Sequence, residues 1–144
     1  MKKVIYIMVA FISLALCSCG SNDCVKQIAT IIENGAEKEQ AFEAAVANGE
    51  KTDADLQEED LFMRPAGNVF ANPEVKAIID KNSNYKLSDA DKEMLTNAID
   101  KLCPRVPVRY QPTVGGRMLD DLNRKEREYN LANIKAAKTL GDLL

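Results

Sequence analysis

The sequence predicts a small, mostly α-helical domain: a bundle of about four to five helices with an extended, proline-rich connector near residues 104–116. Composition favours helix over sheet, because Trp is absent, aromatic residues are few, and the apolar residues are mostly Ala, Leu, Ile and Val. Apolar residues also recur at helical spacing in several stretches that are bounded by capping residues, glycines or prolines.

The first helix is predicted from its apolar face, on which Glu39 is the charged exception. The apolar members of that face are Val25, Ile28, Ala29, Ile32, Ala36, Phe42 and Val46. Asn34-Gly35 either breaks this helix or places Gly35 on the close-packed face. The stretch NGEK at 48–51 ends the helix with a glycine stop.

Capping residues predict three further helices. Thr52, with an acid three residues on, starts a helix that runs from Asp53 to about Met63. Asn72 and Pro73 start a third, whose buried edge is Val75, Ile78 and Ile79. Ser88, with Asp91 three residues on, starts a fourth, whose apolar stripe is Leu95, Ala98, Ile99 and Leu102.

The connector at 104–116 is predicted from three prolines, which forbid helix and remove sheet donors. Two interpretations stay open: a connection that crosses the bundle surface, or a peptide-like segment that docks a partner. From Arg117 a fifth helix is predicted, with its apolar positions at Met118, Leu119, Leu122, Tyr129, Ala132, Ala136 and Leu140. The charged stretch NRKEREYN within it is typical of a solvated helix face.

The N-terminus indicates export. Lys2 and Lys3 precede the uncharged run Val4 to Leu16, which is shorter than the roughly 20 apolar residues of a membrane span. A basic start, a short apolar run and then small residues are typical of a secretory signal.

The sequence LCSC at 16–19 resembles the bacterial lipobox, Leu-x-(Gly/Ala/Ser)-Cys. The resemblance implies a signal peptide at 1–18, cleavage after Ser18, and acylation of Cys19 with diacylglycerol and commonly an amide-linked chain such as palmitate. Two or three acyl chains suffice for stable membrane anchoring. Cys17 fits worse as the modified residue, because the large Leu16 precedes it. Residues 19–24 then form a lipidated tether, and residues 25–144 form a single helical domain.

The processed chain would contain two further cysteines, Cys24 and Cys103. An exported compartment permits a disulfide between them, and two unpaired thiols are the alternative. A metal cluster of the first cysteines is disfavoured, because CSC lacks the two-residue gap of zinc pairs and the chain has no His.

Residues 80–91, DKNSNYKLSDAD, resemble the EF-hand calcium loop and more closely its dockerin variant, which ends in Asp. The resemblance implies oxygen ligands from the side chains of Asp80, Asn82, Asn84, Ser88 and Asp91 and from the Lys86 carbonyl. Tyr85 departs from the motif, because it stands where a glycine makes the sharp turn. A polar helix–helix connector is the alternative interpretation.

Several function classes are disfavoured. Without residues 1–18 the chain loses only Lys2 and Lys3 from its 19 basic residues and keeps all 22 acidic ones, so nucleic acid is not an expected partner. The absence of His removes the common catalytic triads, and an enzyme is not expected. We expect a lipid-anchored, extracytoplasmic protein, periplasmic or surface-exposed on the cell membrane or outer membrane. Its expected role is structural or is interaction with an envelope protein, and weak calcium binding is the alternative.

Overall fold

A computed structural model describes residues 23–104 and 114–144. Within them, the four α-helices are α1 (Asp23–Ala47), α2 (Pro73–Lys81), α3 (Asp89–Leu102) and α4 (Val114–Ala136). Short 3₁₀ turns lie at Asp53–Asp55, Glu58–Asp60, Pro65–Gly67, Val69–Ala71 and Leu140–Leu143. The predicted mostly α-helical bundle is confirmed.

Helices α1 and α3 pack side by side and run in the same direction. Lys101, at the end of α3, forms a 2.8 Å ion pair with Glu33, and its carbonyl accepts a 3.2 Å bond from Gln40, midway along α1. At the other end, Tyr85 precedes α3 and lies near Cys24, in the first turn of α1. Helix α4 runs antiparallel to α3, since Arg127 pairs with Asp100 whereas Lys92 reaches the carbonyl of Lys135.

The core forms where α1, α2 and α3 meet the C-terminal turn. The predicted stripes of α1 and α3 supply much of it, and its largest fully buried side chains include Ile28, Ile32, Phe70, Ile79, Leu95, Ile99, Leu140 and Leu143. Burial of such side chains stabilises the fold by roughly 1.5–3 kcal/mol each. The C-terminal turn is tied in by backbone bonds from Leu140 to the Tyr85 carbonyl and from Leu87 to the Lys138 carbonyl, each 3.0 Å.

The predicted caps are confirmed at two helices. Asn72 accepts bonds from the backbone N–H groups of Glu74 and Val75, at 3.0 and 3.3 Å, at the start of α2. Ser88 and Asp91 bond each other's backbone N–H groups at the start of α3. Gly35 lies on the packed face of α1, where a Cβ atom would overlap the Phe62 ring. Helix α1 therefore continues through Asn34-Gly35.

The predicted helix from Asp53 to Met63 is wrong. Thr52 does cap a turn, since its N–H donates to Asp55 Oδ2 at 2.7 Å, but the segment forms two 3₁₀ turns without a buried residue in either. Its only buried side chain is Phe62, which is 8% exposed. An isolated segment of this length needs an apolar face to pack as a helix, and this one lacks it.

The prediction for the last helix is wrong in its start and its buried face. Helix α4 begins at Val114 rather than Arg117, so the end of the predicted connector is helical. Met118, Leu119 and Leu122 are 63%, 50% and 60% exposed. The buried residues of α4 are instead Gly116, Asn130 and Ile134. Leu140 is buried, but it belongs to the C-terminal turn.

Asn130 explains how the charged part of α4 packs. Its side chain accepts a 3.0 Å bond from the Val69 N–H and donates 2.8 Å bonds to the carbonyls of Gly67 and Glu126. A fully buried amide with its hydrogen bonds made carries little desolvation penalty. Asn130 therefore fixes α4 to the turns before α2.

Candidate functional site

The candidate site is a groove at the end of the bundle where α1 finishes. It is a cavity of about 400 Å³ between the second half of α1, the turns at 53–64 and the first turns of α4. Its apolar lining comprises Ala36, Phe42, Val46, Leu56, Leu61, Leu102 and Leu119. We call it the distal groove. Such a volume falls within the range of ligand pockets, about 300–1,000 Å³.

Several apolar side chains of the distal groove are not covered by the fold. Leu56, Leu61 and Leu119 are 41%, 44% and 50% exposed. They come from separate elements and line one cavity. A cluster of exposed apolar side chains marks a candidate interaction surface more strongly than single scattered ones.

Two lining residues of the distal groove, Glu39 and Arg64, belong to an ion triad with Glu126. Arg64 Nη2 lies 2.8 Å from both carboxylate oxygens of Glu39, and Arg64 Nε lies 3.1 Å from Glu126 Oε1. Glu39 Oε1 also accepts a 3.0 Å bond from the Phe62 N–H. The triad therefore connects α1, the loop before α2 and α4. Arg64 Nη1 is buried without a hydrogen-bond partner.

The surroundings of the triad shift two neighbouring groups. Burial raises the pKa of Glu126, and Glu39 adds to the increase while Arg64 opposes it. Burial, with the nearby Glu126 carboxylate, raises the pKa of the Cys103 thiol to about 11. A thiol with so high a pKa is a poor nucleophile at neutral pH. The surroundings of Cys103 are therefore those of a structural cysteine rather than a reactive one.

The charged lining of the distal groove is mostly acidic. Glu39, Glu43, Asp53 and Asp60 line it, and Arg64 is the one basic lining residue of the described ranges. Lys51 lies 3.7 Å from Asp60 and 5.2 Å from the centre of the Phe42 ring. Hydrogen bonds from Thr52 lower the pKa of Asp55, which keeps that carboxylate ionised.

The structure does not bring Cys24 and Cys103 together. Both are buried, and neither is in a disulfide. Because α1 and α3 are parallel, Cys24 lies near Tyr85 before the start of α3, whereas Cys103 follows its last residue. The 14 residues of α3 separate the two ends by roughly 20 Å, and a disulfide needs Cα atoms within about 7 Å. Parallel packing thus places Cys24 and Cys103 at opposite ends of α3.

The predicted calcium ligands have other partners. Asp80 pairs with Lys76 at 2.6 Å on the surface. The Asn82 amide donates to the Ile78 carbonyl and the Ser88 hydroxyl caps α3. The buried Asp91 carboxylate accepts 2.9 and 3.1 Å bonds from the Ser88 N–H and the Tyr85 hydroxyl.

Backbone geometry at 80–91 also departs from the motif. Tyr85 lacks the positive φ of the motif's glycine, because Ala66 is the single non-glycine residue with positive φ in the described ranges. Lys86 pairs with Thr139 in an isolated β-bridge, and Asn84 is an exposed loop residue. In this structure the stretch connects α2 and α3 through these contacts, and calcium binding at 80–91 stays a prediction.

Among residues 23–104 and 114–144 there is no group of three or more His, Cys, Asp or Glu side chains arranged to hold a metal ion. None of the helices in these two ranges combines the length and apolar character required to cross a membrane. Cys19, its lipobox and the central part of the connector lie outside the described residues.

No family model matches the chain, and no curated protein and no solved structure matches it significantly.

The ion triad and the distal groove were not predicted from the sequence. One signal was present: Glu39 is the charged exception on the apolar face of α1. A carboxylate at such a position requires a buried or half-buried partner. The sequence does not indicate that this partner is Arg64, 25 residues away.

Proposed function

We propose that this chain is an extracytoplasmic lipoprotein, held in a membrane of the cell envelope by acyl chains on Cys19, and that its helical domain binds another envelope protein or supports envelope structure. The observation that carries the anchor is the sequence of residues 1–19, in which a basic start, an apolar run and LCSC occur in the order of a lipoprotein signal.

In this proposal the lipid lies near the start of α1, and the distal groove lies far from it. Helix α1 starts at Asp23, four residues after Cys19, so an extended tether reaches at most about 14 Å. The part of α1 that lines the distal groove, Ala36 to Val46, lies roughly 20–35 Å along the helix axis from Asp23. The groove is therefore at the end of α1 opposite the lipid.

Anchoring and binding support each other in this proposal. A lipid anchor confines the domain near other envelope proteins and raises its effective concentration beside them. The exposed apolar side chains of the distal groove supply a surface that a partner can cover.

The anchor is tested with the full chain expressed in a Gram-negative bacterium that is fed an alkyne-labelled palmitate. We expect an intact mass that begins at Cys19 and includes two or three acyl chains, together with the label in the membrane fraction. Cys19→Ala should lose the label and accumulate as the precursor.

Cys17→Ala is the matched control, because it removes a neighbouring cysteine and leaves the Leu16-x-Ser18-Cys19 pattern intact. It should be labelled and anchored like the unmodified chain. Normal labelling of Cys19→Ala, or an unacylated mass that begins elsewhere, would overturn the anchor.

A further inference from the structure

We propose that the distal groove binds an extended segment of a partner protein in which Arg or Lys side chains stand beside aliphatic ones. This inference deepens the proposed function, because it gives the chemistry of the envelope partner. Its first support is the apolar lining: Leu56, Leu61 and Leu119 are each at least 41% exposed, and a partner's aliphatic side chains could bury them at about 25 cal/mol per Å² of apolar surface.

The second support is charge complementarity. Four acidic residues, Glu39, Glu43, Asp53 and Asp60, line the cavity, against Arg64 as the one basic lining residue of the described ranges. A basic segment would be attracted to this end of the domain and an acidic one repelled, which sets both the association rate and the specificity.

The ion triad makes the distal groove compatible with a basic partner. Arg64 is the one basic residue among the lining side chains of the described ranges. It is held between the carboxylates of Glu39 and Glu126, so the triad bears a net negative charge when both acids are ionised. Among the described lining residues, a partner's guanidinium or ammonium group therefore meets a basic side chain that two carboxylates already neutralise.

The shape of the site favours an extended segment over a flat protein surface. The cavity of about 400 Å³ lies between three elements of the chain and has room for a few side chains. Recognition of extended peptides typically combines apolar pockets with a few charged contacts.

The probe for the test is a fluorescein-labelled peptide of about ten residues in which Leu and Arg alternate, a length typical of peptide-recognition sites. Fluorescence anisotropy measures its binding to the full chain in a neutral detergent. A peptide with Glu in place of Arg and one with Ser in place of Leu serve as peptide controls. We expect binding of the Leu–Arg peptide and at least about tenfold weaker binding of both controls.

Matched variants locate the binding site. Leu61→Ser and Asp53→Lys should each weaken binding by about tenfold. Leu144→Ser changes an equally exposed leucine outside the groove lining, and Glu93→Lys makes the same charge reversal on α3. These two controls should bind like the unmodified chain.

Three results would overturn the proposal. The first is no binding of the Leu–Arg peptide, and the second is an equal loss in the groove and control variants, which would indicate general charge attraction. The third is binding that appears only after residues 105–113 are replaced by a Gly-Ser linker, because the chain itself would then occupy the groove. Repeating the measurement with Cys19→Ala separates this test from the anchor, since peptide binding does not require acylation.

Discussion

The two ends of the bundle use their apolar residues differently. At the end where α1 begins, Cys24, Val25 and Ile28 are all buried, and the C-terminal turn closes the core with Leu140 and Leu143. At the opposite end, Leu56, Leu61, Met63, Val114, Met118, Leu119 and Leu122 are all exposed. Folding therefore buries the apolar side chains of the first end, whereas these seven side chains of the groove end stay exposed.

We expect the largest change in the free energy of unfolding from a substitution at the end where α1 begins. Ile28→Ala removes a fully buried side chain and should lower the free energy of unfolding by about 3 kcal/mol, through lost transfer energy and a cavity. Leu122→Ala removes a side chain that is 60% exposed at the groove end and should change it by less than about 0.5 kcal/mol. Urea unfolding followed by circular dichroism measures both, and similar losses in the two variants would contradict the comparison.

The ion triad links three elements of the chain at the groove end. Arg64→Met should lower the free energy of unfolding by about 2–4 kcal/mol, because Glu39 and Glu126 would remain close together without their cation. Arg124→Met is the matched control: Arg124 also pairs with two carboxylates, Asp121 and Glu128, but its side chain is 55% exposed.

The control should lose less than about 1 kcal/mol, as is usual for exposed ion pairs. Equal losses in the two Arg variants would show that partial burial of the triad has no energetic consequence.

Glu126 makes the groove end sensitive to pH. Because its pKa is raised in the fold, the folded state binds the proton more tightly than the unfolded state, and this carboxylate disfavours folding once the pH exceeds its folded pKa. Relative to Glu126→Gln, the unmodified chain should therefore gain stability as the pH falls from 7 to below the ordinary value of 4.5.

Urea unfolding of both chains at several pH values measures that difference. The lowered pKa values of Asp55, Asp121 and Asp142 have the opposite sign, but both chains share them, so they cancel. A difference that is constant with pH, or that shrinks on acidification, would contradict the raised pKa.

We expect the smallest change in stability from calcium, at the end of the bundle where α1 begins. Asp80 and Asp91 already have Lys76, Ser88 and Tyr85 as partners, so millimolar calcium should leave the melting temperature unchanged. Differential scanning fluorimetry with and without calcium measures this, with magnesium as the control for ionic strength. A calcium-specific increase in the melting temperature would show that the loop rearranges into a binding site.

The end of the bundle where α1 begins was also the part that could be predicted from the sequence. The stripes of α1 and α3 and the caps at Asn72 and Ser88 are local patterns, and the fold follows them. The groove end was predicted poorly. Thr52 caps a turn there, but no helix follows it, because the segment lacks an apolar face. In α4 the apolar residues at Met118 and Leu122 face outward, while the polar Asn130 is buried.

Long-range packing, which periodicity does not encode, explains these errors. Asn130 is buried because its partners come from the turns at 67–69, and Glu39 is tolerated because Arg64 reaches it from another element. The same limitation applies to Cys24 and Cys103, since only the parallel packing of α1 and α3 shows that they are far apart.

We propose that the apolar side chains of the distal groove serve binding rather than folding. The most direct test is the free energy of unfolding of the triple variant Leu56→Ser, Leu61→Ser, Leu119→Ser, measured by urea unfolding of the full chain. We predict a change of less than about 1 kcal/mol, because each side chain is at least 41% exposed. A loss of about 3 kcal/mol or more, as for buried leucines, would show that these side chains are covered within the chain and would contradict the claim.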